Sequence, residues 1–119
     1  ETITPVSANT LADSISVDLP RDGVRAVRAA SQTGGTYITV PDEEILKAIA
    51  ALGKMGIFAE PAGATAFAGL VAAKQQGLLE PDAPVLVMNT GSGLKDVRAA
   101  MQSVQPAPII EPPWMRSKK

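Results

Sequence analysis

Residues 84–100 read PVLVMNTGSGLKDVRAA, and the rest of the chain is organised around them. Val85, Leu86, Val87 and Met88 follow Pro84 without a polar interruption, as in a strand buried on both faces. Asn89-Thr90-Gly91-Ser92-Gly93 is a tight turn, after which Leu94, Val97 and Met101 recur at helical spacing. A strand, a glycine-hydroxyl loop and a helix N-terminus, in that order, hold ligands at the carboxyl ends of strands in open α/β sheets.

Upstream, the same alternation repeats. Thr36-Tyr37-Ile38-Thr39-Val40 is β-branched and alternating, which predicts a strand. Pro41 at a first helical position, followed by Asp42-Glu43-Glu44, opens a helix with the apolar stripe Ile45, Ala48, Ile49, Leu52, closed by Gly53 or Gly56. Gly56-Ile57-Phe58-Ala59 predicts a short buried strand running into Glu60-Pro61. A helix follows to about Gln76, with Ala64, Phe67, Ala68 and Val71 on one face and Gly77 as its stop. Nearer the N-terminus, Leu11 to Val17 alternates until Pro20. Asp22 is placed to cap a helix in which Val24 and Val27 face inward and Arg25 and Arg28 face solvent, stopping at Gly34-Gly35. The middle of the chain therefore predicts an α/β fold: a partial three-layer αβα sandwich on a small parallel sheet with right-handed crossovers.

Composition narrows the chemistry. The 119 residues suffice for one small domain, and 45 % hydrophobic content with 3 % aromatics predicts a core of Ala, Val, Ile and Leu. Eleven basic and twelve acidic residues leave a net charge of -1, which argues against a nucleic-acid or anionic-membrane surface. There is no cysteine and no histidine, so no disulfide, thiol nucleophile, thiolate metal site or imidazole base is available. No metal site is expected. Neither a membrane-spanning run nor a signal peptide is visible, and a cytoplasmic location is the default expectation.

Three positions stand out as candidate site residues. The 89–95 loop comes near two phosphate-binding patterns and matches neither: the Gly-x4-Gly-Lys spacing is wrong, and Asp96 stands where the third glycine of Gly-x-Gly-x-x-Gly belongs. Two readings of it stay open, a tight turn with left-handed glycines or a Thr90 or Ser92 hydroxyl offered to a ligand. Glu60 is either a carboxylate at a helix N-terminus, worth about 0.3–1 kcal/mol, or, if its strand neighbours that of Thr90, part of the same crevice rim. Asp13 and Ser14 read as turn formers. Lys95 beside Asp96 reads as charged and structural, since a Schiff-base amine needs burial. No catalytic residue is assigned within the chain, and without His or Cys no nucleophile–base relay can be assembled.

Three blocks, taken together, resemble the C-terminal third of threonine synthase-like enzymes of the β-type (fold type II) pyridoxal-phosphate family. They are residues 10–15 (TLADSI), residues 40–45 running on to 56–64 (VPDEEI, GIFAEPAGA), and residues 90–96 (TGSGLKD). The resemblance covers residues 8–102 and implies a threonine-biosynthetic lyase of amino-acid biosynthesis, using pyridoxal 5'-phosphate to turn O-phosphohomoserine and water into threonine and phosphate. By position in those motifs it implies that Thr90 meets the cofactor's pyridine nitrogen, that Glu60 lies near the ring, and that Ser14 is the small residue against the cofactor. A neutral hydroxyl at the ring nitrogen makes a weaker electron sink, suited to elimination and replacement.

Ala12-Asp13-Ser14-Ile15 leans toward serine/threonine dehydratases, whereas the long Gly-Leu-Lys-Asp loop leans toward the synthase; the family's Ser or Thr at position 41 is here a proline. The resemblance also implies the organisation: residues 1–20 a connection from a missing N-terminal portion, 21–102 the C-terminal part of the cofactor-binding α/β domain, and 103–119 a proline-rich tail. The Schiff-base lysine and phosphate cradle lie upstream in such enzymes, so the chain alone is expected to be inactive, with the rest of its own chain as partner and a homodimer as the full-length state. A non-catalytic association fragment is the reading from outside enzymology. In the tail, Trp114 is expected to pack on the body or on a partner chain, with 116–119 frayed.

Overall fold

A computed structural model describes residues 2–112 and residue 115. Among these, helices form where the apolar periodicity places them: α1 (Gly23–Thr33), α2 (Asp42–Lys54), α3 (Pro61–Gln75) and a short α4 (Val97–Gln102). Two 3-10 turns, Asp13–Ile15 and Gly93–Lys95, complete the regular structure. No helix among the described residues is long and apolar enough to cross a membrane.

The pairing of α2 with α3 is the most extensive between elements. Ile45, Ala48, Ile49 and Leu52 are all buried, as their spacing predicts, and meet Ala64 and Ala68 of α3. Small residues on α3 let the larger α2 side chains close on its backbone, and burying each large aliphatic side chain contributes about 1.5–3 kcal/mol. Ala12 and Ala59, from two separate loops, and Ala99, from α4, seal the cluster. Helix ends follow their punctuation with small departures. Pro41 is the N-cap of α2, extended at φ -74° and ψ 157°, rather than its first helical residue. The helix passes through Gly53, and the left-handed Gly56 (φ 79°) reverses the chain so that the Ile57 N–H reaches the Leu52 carbonyl at 3.0 Å.

The predicted parallel sheet is not formed among the described residues. Residues 36–40 and 84–88 form no strand, and neither pairs with another segment. The one bridge joins Ala59 and Ser92, and it is antiparallel. The physical reason lies in the backbone: a helix satisfies its own N–H and C=O groups, whereas a strand needs a neighbour for every ladder bond. No neighbour is supplied here, and Leu86 and Met88 stand 88 % and 67 % exposed.

Two amphipathic expectations are also corrected. In α1, Val27 is exposed, Gly23 alone is buried, and Asp22 pairs with Arg25 (3.3 Å) instead of capping the helix. Leu94, Val97 and Met101 are exposed too, and Ala99 is the buried residue of α4. Each of these faces lacks an opposing apolar surface. The Cα radius of gyration, 19.0 Å, exceeds the about 13.5 Å of a compact chain this long, in keeping with uncovered faces. Trp114 and residues 116–119 lie outside the described residues.

Candidate functional site

The site is built where the 89–96 loop lies across residues 58–63. Pro61 opens α3 with its ring-fixed φ at the first helical position, which makes Glu60 the N-cap, extended at φ -75° and ψ 163°. Its carboxylate does not cap the helix. Instead the Glu60 N–H donates to the Gly91 carbonyl (3.0 Å), and the Gly93 N–H donates to the Phe58 carbonyl (2.9 Å).

Three glycines make this crossing possible. A Cβ at Gly91 would overlap the Glu60 carboxylate, one at Gly93 the Phe58 ring, and one at Gly63 the Asn89 side-chain oxygen. Close approach, not left-handed backbone, is what these glycines supply; Gly91 and Gly93 are absent from the positive-φ glycines.

Glu60 is only 4 % exposed, and a carboxylate so deeply placed needs partners. Lys95 Nζ lies 3.1 Å from its Oε1, and the Ser14 hydroxyl donates to its Oε2 at 3.5 Å, the outer limit of a hydrogen bond. These groups border a cavity of about 70 Å³ against Asp13, Pro61 and Asp96. Lys95 sits in a 3-10 turn, not in the helix proper, and pairs with Glu60 rather than with neighbouring Asp96. Asp96 accepts from the Ala99 N–H at 2.9 Å and caps α4.

Ser14 is held from a distance. At the start of α2, Asp42 accepts from the Thr10 hydroxyl (2.5 Å) and from the Leu11 N–H (2.8 Å), which fixes the turn carrying Ser14. Sequence reasoning took Asp42 only as a helix-dipole acid; its partners lie 31 and 32 residues away, beyond any local pattern. The two hydroxyls of the loop separate. Ser92 Oγ accepts from the Leu94 N–H (3.3 Å) and serves the turn, whereas Thr90 is exposed and makes no hydrogen bond among the described residues. The fold thus gathers Glu60, Ser14 and Lys95 around one cavity, which Thr90 does not line.

Residues 1–91 match the profile of the pyridoxal-phosphate dependent enzymes. The chain belongs to that family. It is 38 % identical over 110 residues to the threonine synthase of Mycobacterium tuberculosis, a stretch that is 88 % of this chain and 31 % of that protein. The threonine synthase of Halalkalibacterium halodurans is 38 % identical over 104 residues (87 % and 29 %), and that of Methanocaldococcus jannaschii 37 % identical over 103 (86 % and 25 %). The chain spans less than a third of the length of these relatives.

The cavity beside Glu60 does not by itself hold the family's cofactor. At about 70 Å³ the cavity beside Glu60 is well below the roughly 300–1,000 Å³ of small-molecule sites, and its carboxylate oxygens are already engaged. The Thr90 hydroxyl, exposed on a loop pinned by the packed glycines, has the chemistry to meet a ring nitrogen, being a neutral donor and acceptor.

Proposed function

We propose that the chain is a segment of a threonine synthase, a lyase whose complete polypeptide takes O-phosphohomoserine and water to threonine and phosphate. The observation that carries this reading is the match of 86–88 % of the chain to threonine synthases. The 89–96 loop, which set it apart from dehydratases on sequence, is also the segment locked onto residues 58–63. Bound pyridoxal phosphate supplies an electron sink for carbanion character at the substrate.

This chain's own part is to hold that group's edge. Thr90 meets the pyridine nitrogen with a hydroxyl that leaves the ring incompletely protonated, Glu60 lies behind the loop, and Ser14 is the small residue packed toward the cofactor. In this reading the lysine of covalent attachment and the phosphate-binding groups lie in other parts of the polypeptide, as the family resemblance implies, and Lys95, paired with Glu60, is not that lysine. The chain alone is accordingly inactive, and the complete enzyme works as a cytoplasmic homodimer built on a parallel sheet that the rest of its own chain completes.

Assaying the complete gene product with O-phosphohomoserine and, separately, with threonine tests the reading. Threonine and phosphate formed from the first are expected; a 2-oxo acid formed from the second, with no threonine from the first, overturns it in favour of a dehydratase. Mixing the 119-residue chain with pyridoxal phosphate is expected to leave no lasting visible absorbance band, and a stable band overturns the reading of Lys95.

A further inference from the structure

Lys95 holds more than a charge balance. Glu60 grips the loop twice, through its backbone N–H to the Gly91 carbonyl at 3.0 Å and through its carboxylate to Lys95 Nζ at 3.1 Å. Gly91 is the first of these grips, and the space of its missing Cβ is filled by the Glu60 carboxylate, with Lys95 Nζ alongside. The loop is thus pinned at residues 91 and 95 to one buried side chain. Thr90 directly precedes the first pin, one Cα step of about 3.8 Å away. The Ser14 contact to the same carboxylate is longer, at 3.5 Å, and comes from an exposed residue, so Lys95 is the stronger partner.

We propose that Lys95 is a positioning residue: its ammonium holds the Glu60 carboxylate under Gly91 and so sets where the Thr90 hydroxyl stands. This rests on the reading that Thr90 meets the cofactor ring, and adds how the loop bearing it is fixed. Lys95 is itself 61 % exposed, so replacing it empties no core. Its loss acts through Glu60, which is left without its cation in a nearly closed site.

Amide hydrogen exchange followed by 1H–15N spectra of the 119-residue chain tests this without cofactor or activity. In Lys95→Gln, the Glu60 and Gly93 amides, which bond across the crossing, are expected to exchange about tenfold faster or more through local opening. The Ile49 amide in α2 stays within about twofold, and the Thr90 resonance shifts. Lys95→Arg, which keeps the cation, is expected to restore the slow exchange. Adding Lys95→Gln to Glu60→Gln is expected to cause no further acceleration, because both remove one interaction. Unchanged exchange in Lys95→Gln, acceleration spread equally through α2, failure of arginine to rescue, or additivity of the two changes each overturns the proposal. Because no cofactor is present, a gene product that makes no threonine would sink the proposed function and leave this result standing, and the reverse holds equally.

Discussion

Two apolar regions of similar composition meet different fates in this molecule. Ile45, Ile49 and Leu52 on α2 are 2–4 % exposed, whereas Val85, Leu86 and Met88 are 49 %, 88 % and 67 % exposed. Hydrophobicity does not separate them. A helix completes its backbone bonding alone and needs one facing surface, which α3 provides. A strand needs at least one strand neighbour to bond its backbone, and a sheet needs a covering layer before its side chains find a core. Burial in this chain follows whichever partner surface is present.

The comparison can be broken or sharpened by substitution. The largest expected effect is in the packed region: Ile45→Ala lowers the unfolding free energy by about 2–4 kcal/mol, through lost burial and the cavity left behind, as read from the urea midpoint. An equal loss in Leu86→Ala would erase the distinction between the two regions. Next comes Gly91→Ala, expected to cost about 1–3 kcal/mol as its methyl group displaces the Glu60 carboxylate. Its spectral changes concentrate at residues 58–63 and 89–96, and a silent spectrum there would mean the crossing is not tightly closed.

Asp42→Ala removes the acceptor for both Thr10 and Leu11 and is expected to cost about 1–2 kcal/mol, with proteolytic nicking near residues 10–15 rising before α2 and α3 open. Leu86→Ser is expected to change stability by less than about 0.5 kcal/mol while reducing self-association of the chain, measured by sizing at several concentrations; an exposed apolar segment seeks a partner. Smallest of all is Lys47→Met on the solvent face of α2. Hydrogen bonds from Lys47 to Glu44 and then Glu43 hold its amine above the usual lysine range of 10.5. A raised value stabilises the fold at any pH below the ordinary one and is lost as pH climbs through it. The variant is therefore expected to melt slightly below the parent at neutral pH, with the difference gone once the pH has risen through the raised Lys47 value in strong alkali.

Legibility from sequence tracked the range of the interaction. The α2 stripe, the Gly34, Gly56 and Gly77 turns and the proline at the start of α3 are local, and each appears where its residues put it. The stripe of Leu94, Val97 and Met101 has equally good helical spacing, yet it is bare, because no opposing surface arrives. At the candidate site, Glu60 and Thr90 were legible as polar residues flanking predicted elements. That Lys95 reaches Glu60, and that Asp42 reaches Thr10, was not, since neither partner is a sequence neighbour.

The sequence by itself determined which segments are helical, which glycines punctuate them, and the family signature carried by residues 10–15, 40–64 and 90–96. Those are properties of local backbone preference and residue order. Only the tertiary structure decided that the 89–96 loop crosses residues 58–63 antiparallel, that Glu60 is buried against Lys95 and Ser14, and that residues 36–40 and 84–88 stay unpaired. The reason is physical: closing contacts between distant residues depends on which surfaces are present to meet, and spacing along the chain carries no record of that.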